Sequence, residues 1–158
     1  MAPTTPYSSY LGTRDPLTAM KDTLARIEAL TRQWPADRFE HTYATGKWTA
    51  RQVLVHLAQT EMTIGARARL ALTTPEYVAQ PFDQEKFMAK ETTMGGPEAA
   101  GTFLALGRMN LRFFEGLSPD DRATSFGHPE YGSLTLDWIV HMMAGHQINH
   151  LLQLERIA

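Results

Sequence analysis

The sequence of 158 residues contains no cysteine, and this absence excludes several classes of functional site. Disulfides, cysteine-based zinc sites, iron–sulfur clusters and a cysteine nucleophile are all ruled out. Histidine occurs six times, so any metal ion would have to be bound through nitrogen and oxygen. If the chemistry of the protein involves sulfur, the sulfur has to arrive with the substrate.

The sequence also lacks an excess of positive charge and a long apolar run. Its 15 lysines and arginines are balanced by 17 acidic residues, which argues against binding to nucleic acid or to a membrane surface. No apolar segment approaches the roughly 20 residues of a membrane span, and the first residues do not resemble a signal peptide. We therefore predict a cytoplasmic protein with a single domain over residues 1–158, acting on a small molecule.

The nine prolines divide the chain into helical segments. Proline interrupts helix interiors but is tolerated in a first turn, and each long proline-free stretch has apolar residues at helical spacing. These patterns predict an all-α protein, a four-helix bundle with helices over 16–34, 50–72, 97–117 and 135–157. Residues 1–14 are predicted to be an extended N-terminal arm, and no alternating pattern predicts a β-strand.

The lengths of the connections predict the directions of the helices. The connection over 73–96 is much longer than the roughly 2–8 residues usual between bundle helices. It can cross the whole bundle, so the second and third helices are predicted to run parallel. The shorter link over 118–134 makes the fourth helix antiparallel to both.

Three of the histidines lie on the inner faces of predicted helices. His146 and His150 are one turn apart, a spacing that can place two imidazoles on one metal ion, although such a pair alone more often packs or lies on the surface. His56 lies seven residues after the helix cap at Thr49. With the second and fourth helices antiparallel, all three histidines lie at one level, about 10–16 Å from the same end of the bundle.

Two amides near the histidine pair are candidates for supporting a metal site. Asn149 and Gln153 lie within about 60° of His146 around the helix. Outer hydrogen-bond partners fix the tautomer and orientation of metal-binding imidazoles. The alternative is that both amides lie at the rim of the bundle or face polar groups of the first helix.

Three further residues are candidates for chemistry or for substrate binding. Glu61 is a possible base, but its position about 140° from His56 around the helix favours a salt bridge. Arg67 is close to the azimuth of His56 and could bind a substrate carboxylate, with an acidic side chain as the alternative partner. His128 could lie over an active-site mouth or could simply be a turn residue.

Several motifs follow one another in a characteristic order: Trp48, His56, Glu61, Arg67, Pro81-Phe82-Asp83, His128-Pro129-Glu130-Tyr131-Gly132, Leu134-Thr135-Leu136 and Gly145-His146-Gln147-Ile148-Asn149-His150-Leu151-Leu152-Gln153-Leu154. In this order and spacing they resemble the DinB-like superfamily, also called the YfiT-like metal-dependent hydrolases. (The DNA polymerase that shares the DinB name is unrelated.) The resemblance covers about 16–158, nearly the whole chain.

The resemblance implies a bundle with up-down-down-up topology, and a homodimer. It implies one divalent metal ion, nickel or zinc, bound by three histidines that match His56, His146 and His150 here. Many members have a second histidine where this chain has Asn149, so a catalytic role of that neighbour does not carry over. Some members transfer low-molecular-weight thiols, such as bacillithiol or mycothiol, to electrophiles.

The sequence leaves three functions open. A metalloenzyme with an open coordination position would transfer a thiol to an electrophilic small molecule, as the resemblance implies, or would hydrolyse small amides or esters. The same histidines would serve a non-catalytic metal-binding stress protein. In a plain helical bundle they would only pack.

Overall fold

The computed structural model describes residues 2–158 and confirms the all-α four-helix bundle. Four helices of 17 to 24 residues form the bundle, and each boundary lies within two residues of the prediction. The helices in chain order are α1 (Ser8–Leu11), α2 (Pro16–Arg32), α3 (Ala50–Thr73), α4 (Gln84–Lys90), α5 (Gly96–Glu115), α6 (Pro119–Ala123) and α7 (Leu136–Glu155), with a 3₁₀ helix over Ala36–Glu40.

Side-chain caps explain where three of the four bundle helices begin, while Gly95 precedes α5 without a side-chain cap. The carboxylate of Asp15 accepts a hydrogen bond from the backbone N–H of Thr18 at 2.8 Å, just before α2. Thr49 and Gln52 form the reciprocal capping box of α3. Thr135 caps α7 with its hydroxyl. Because a cap satisfies N–H groups that have no partner within the helix, these short motifs fix the starts of α2, α3 and α7 from sequence alone.

Contacts between α3 and α5 show that these two helices are parallel. Near the start of both, Arg51 donates a hydrogen bond to the carbonyl of Met94. Near the end of both, the guanidinium of Arg69 lies 4.3 Å from the centre of the Phe113 ring. The crossover between them is therefore long because it must return the chain to the same end of the bundle.

The last helix runs in the opposite direction to α3. His56 near the start of α3 contacts His150 near the end of α7, as an antiparallel pair requires. At the end of α7, Glu155 forms a salt bridge with Arg26 in the second half of α2, so α2 and α7 run the same way. The bundle thus has the up-down-down-up order that the resemblance implies.

A short hairpin that no sequence pattern indicated precedes α7. Strands β1 (Ser125–His128) and β2 (Gly132–Thr135) pair antiparallel, and Gly132 takes the positive φ of 73° that the turn requires. Each strand contains a single large apolar residue, Phe126 or Leu134, so the sequence shows no alternating pattern there. The hairpin also binds the crossover, because Gly127 exchanges two backbone hydrogen bonds of 2.9 Å with Tyr77 and Ala79.

The N-terminal residues differ from the predicted extended arm. Ser8–Leu11 form one helical turn that packs against α7. A side chain at Gly145 would not fit there, because its Cβ would lie 2.6 Å from the carbonyl oxygen of Tyr7. Glycine at this position lets the N-terminal segment reach the bundle beside His146. No helix within residues 2–158 is both long and apolar enough to cross a membrane.

Candidate metal centre and its cavity

The three predicted histidines meet at one point inside the bundle. The Nε2 atom of His146 lies 2.9 Å from Nε2 of His56 and 3.1 Å from Nε2 of His150. All three side chains are buried, with 2% to 6% of each residue exposed. Within residues 2–158, this is the one group of histidine and acidic side chains whose ligand atoms converge closely enough for a metal ion.

The surroundings keep these imidazoles uncharged. Burial, together with the nearby His150, lowers the pKa of His56 to about 3. Burial lowers the pKa of His150 to about 4, although the hydrogen bond that His150 donates to Gln153 opposes the shift. The pKa of His146 is lowered well below its ordinary value, by burial and by the other two histidines. Since metal ions bind the neutral form of histidine, the cluster is ready to bind a cation at neutral pH.

One of the two candidate amides contacts the cluster. The Oε1 atom of Gln153 lies 2.7 Å from Nδ1 of His150, so the Nδ1–H group donates to it. That hydrogen bond leaves the lone pair of the His150 Nε2 atom facing the other two rings. Asn149 is half-buried, and within residues 2–158 its side chain has no hydrogen bond partner.

His56 lacks the corresponding support. Its Nδ1 atom is buried without a partner in the described part of the chain, and so is Oε1 of Gln59, three residues further along α3. The same spacing of three residues joins His150 to Gln153 on α7. The spacing of three residues is visible in the sequence, although Gln59 lies outside the motifs that carry the family resemblance.

Glu61 is sealed in a separate polar network, and the predicted salt bridge is wrong. Its two carboxylate oxygens accept hydrogen bonds from Gln147 Nε2 at 2.6 Å and Asn110 Nδ2 at 2.8 Å. Asn110 in turn accepts from Arg69, and Gly65 provides the space, because a Cβ there would overlap the Asn110 amide. Burial raises the pKa of Glu61 to about 7, against the effect of both hydrogen bonds.

A cavity of about 620 Å³ opens beside the histidines, and Glu61 is absent from its described lining. His56, His146 and Thr60 line its inner part. Its other walls come from separate parts of the chain: the N-terminal segment, the crossover, the hairpin and α7. The ring of Phe82 is parallel to that of His56 with centres 6.3 Å apart, and Tyr7 meets His146 edge-on at 5.1 Å. Sequence patterns gave no indication of Tyr7, because it precedes the periodic segments.

Arg67 and His128 also lie in the cavity wall. Arg67 donates a hydrogen bond to the carbonyl of Gln80, and it has no salt bridge within residues 2–158, so the alternative of an acidic partner is wrong. His128 is half-buried, and its Nδ1 atom accepts the backbone N–H of Glu130 at 3.2 Å. The structure therefore places this loop histidine beside the cavity that the histidine cluster borders.

Comparison with known proteins identifies relatives of this chain. The pattern of the DinB superfamily matches residues 19–154. A protein of Oceanobacillus iheyensis named "putative metal-dependent hydrolase" is 33% identical over 117 residues, which are 73% of this chain and 67% of that protein. A protein of Bacillus pumilus with the same name is 28% identical over 151 residues, covering 92% of this chain and 86% of the relative.

A solved structure has the same fold. It is described as "YfiT from Bacillus subtilis is a probable metal-dependent hydrolase with an unusual four-helix bundle topology". It matches with a TM-score of 0.76 at 21% identity, over 89% of this chain and 84% of that chain. The similarity at this identity shows the shared bundle topology.

Proposed function

The chain belongs to the DinB superfamily, and from that premise we propose that it is a metalloenzyme that transfers a low-molecular-weight thiol to an electrophilic small molecule. The observation that carries the proposal is the convergence of three buried, uncharged imidazoles beside a cavity. Three protein ligands leave a coordination position open, as catalytic metal sites do.

The residues present fit one divalent ion, which we propose to be nickel or zinc. Three nitrogens bound to one ion at about 2.0–2.1 Å lie about 2.9–3.4 Å apart. The Nε2 atoms are separated by 2.9 and 3.1 Å here. The Nε2 atom of His146 faces two other ring nitrogens, and it carries at most one hydrogen to share between them. A cation between the three lone pairs would resolve this conflict.

Side chains of this chain would hold the ion, orient one of its ligands and limit the access of water to the site. His56, His146 and His150 would hold the ion, and an ion bound there would lower the pKa of a thiol or of water in the open position. Gln153 orients His150. Trp48 and Phe82 lie against His56 with ring centres 5.0 and 6.3 Å away, and they limit the access of bulk water.

The distribution of carboxylates favours a thiol over water as the nucleophile. Within the described lining of the cavity the carboxylates are those of Asp83 and Glu130, both at exposed positions. Asp83 is already engaged in capping α4 and pairing with Lys86. Because Glu61 is buried outside the cavity lining, no buried carboxylate lies beside the histidines within residues 2–158. A thiol ionises more readily than water and needs such a base less.

The test is to incubate metal-loaded protein with a panel of low-molecular-weight thiols and an electrophile, and in parallel with small esters and amides. We expect metal-dependent consumption of a thiol and formation of the thioether, with chelator-treated protein as the control. Hydrolysis of esters or amides without thiol consumption would support the alternative hydrolase. Metal binding without any turnover would support the non-catalytic stress protein.

Replacing Gln153 by alanine is expected to weaken metal binding about 10- to 100-fold, the usual effect of removing an outer hydrogen-bond partner. The physical reason is that the His150 ring would lose the acceptor that holds its proton on Nδ1. Competition titration with a chelating dye measures the change. Asn149→Ala, on the same helix but without a side-chain hydrogen bond among residues 2–158, is the matched control. Equal affinities for the two variants would rule out the role of Gln153.

Two other expectations stay predictions. We propose a cytoplasmic location, and we propose the homodimer on the family resemblance.

A further inference from the structure

The cavity contains a buried positive charge that the metal centre does not use. Arg67 is 8% exposed and lies in the cavity wall. One of its nitrogens donates to the carbonyl of Gln80, a neutral acceptor. No carboxylate lies within salt-bridge distance among residues 2–158, and burial lowers the pKa of the guanidinium. Burying a charge without a directly paired counter-charge is costly, so this arginine is poised to gain from an anion.

His128 adds a second donor at the same end of the cavity. Burial and the charge of Arg67 lower its pKa, so the ring is neutral at physiological pH. Its Nδ1 atom accepts from the Glu130 backbone N–H, which leaves the hydrogen on Nε2. A guanidinium and a neutral N–H donor together suit a carboxylate. Glu130 and Tyr77 also act on Arg67, and both raise the pKa of its guanidinium against the effect of burial.

The position of Arg67 determines the shape of the ligand. Arg67 lies eleven residues after His56 on the same helix, which is about 16 Å along the axis. Its long side chain leans back toward the start of the helix and hence toward the histidines. The cavity wall also contains apolar and aromatic side chains, namely Ile64, which lies between His56 and Arg67 on α3, and also Phe82 and Trp138.

We propose that Arg67 and His128 form a carboxylate subsite, so that the substrate is an elongated acidic molecule with an apolar middle. Its carboxylate lies at Arg67 and its reactive group at the three histidines. This inference rests on the proposed function only for the reactive end of the substrate, which binds at the three histidines. The subsite itself is defined by the buried arginine, the neutral donor and the cavity that connects them to the histidines.

A series of ω-mercaptocarboxylates of increasing chain length tests the subsite, with the matching ω-mercaptoalcohols as uncharged partners. Binding to Co²⁺-loaded protein is followed by the thiolate-to-metal absorption band. We expect an optimum chain length at which the carboxylate binds about 10-fold or more tightly than the alcohol, because charge-assisted hydrogen bonds are strong. Arg67→Gln should remove this preference while leaving the metal content unchanged, and Arg67→Lys should retain part of it.

Arg51→Gln is the matched control, because Arg51 also lies on α3 and donates to a backbone carbonyl but is outside the described cavity lining. Equal affinities for carboxylates and alcohols at every chain length would overturn the subsite and leave the metal centre standing. If none of Co²⁺, nickel and zinc binds, the proposed function fails. Alkyl carboxylates and alcohols are then compared on metal-free protein by calorimetry, where equal binding would still overturn the subsite.

Discussion

His146→Ala is expected to abolish stoichiometric binding of a divalent metal ion. His146 is the central member of the cluster, since its Nε2 atom lies within 3.1 Å of both other Nε2 atoms. Removing it leaves two imidazoles and an apolar gap. The loss of affinity should exceed the roughly 100-fold that removal of an outer hydrogen-bond partner can cause. Metal content after dialysis and competition titration measure the change.

His141→Ala is the matched control for this prediction. His141 lies on the same helix, but its Nδ1 atom faces Asp137, to which it forms a pair at 3.6 Å. Its replacement should leave both the metal content and the affinity unchanged. If His146→Ala kept one ion per chain at the affinity of the unmodified protein, the histidine cluster would not be the metal site.

Glu61→Gln is expected to remove a pH-dependent part of the stability. In the folded protein burial raises the pKa of Glu61 from 4.5 to about 7. The folded state therefore favours the protonated form. The contribution to stability is full below pH 4.5 and is lost as the pH rises through 7. A shift of this size corresponds to about 3 kcal/mol of unfolding free energy. The free energy of unfolding of the unmodified protein minus that of Glu61→Gln should therefore fall by about 3 kcal/mol as the pH rises from 4.5 to above 7.

Urea denaturation of both proteins, with a chelator present and at several pH values, measures this difference. The three histidines also titrate on unfolding, but they are common to both proteins and cancel in the comparison. Glu115→Gln, which alters an exposed carboxylate on α5, should keep the pH profile of the unmodified protein. Parallel profiles for Glu61→Gln and the unmodified protein would show that Glu61 is ionised in the fold.

The bundle could be predicted from sequence because its helices carry local signals. Caps such as Asp15 and Thr49 act over three residues, and apolar periodicity extends over a whole helix. The hairpin and α1 could not be predicted in this way. Their stability comes from distant contacts, for example the hydrogen bonds between Gly127 and the crossover and the approach of Tyr7 to Gly145.

The candidate site was predictable to the extent that helix geometry determines it. The spacing of His146 and His150 and the level of His56 follow from turns and loop lengths, and the structure brings the three rings together. The hydrogen-bond partners of Glu61 could not be predicted in this way. The angle between Glu61 and His56 around α3 correctly places Glu61 away from the histidines. Its partners, Asn110 and Gln147, come from two other helices.

The most direct test of the three-histidine metal site is the metal content of the untagged protein, measured by mass spectrometry after incubation with nickel or zinc and removal of excess ion. We expect one divalent ion per chain in the unmodified protein and none in His56→Ala. A metal content well below one ion per chain with either metal, or full occupancy in His56→Ala, would contradict the assignment of the three histidines.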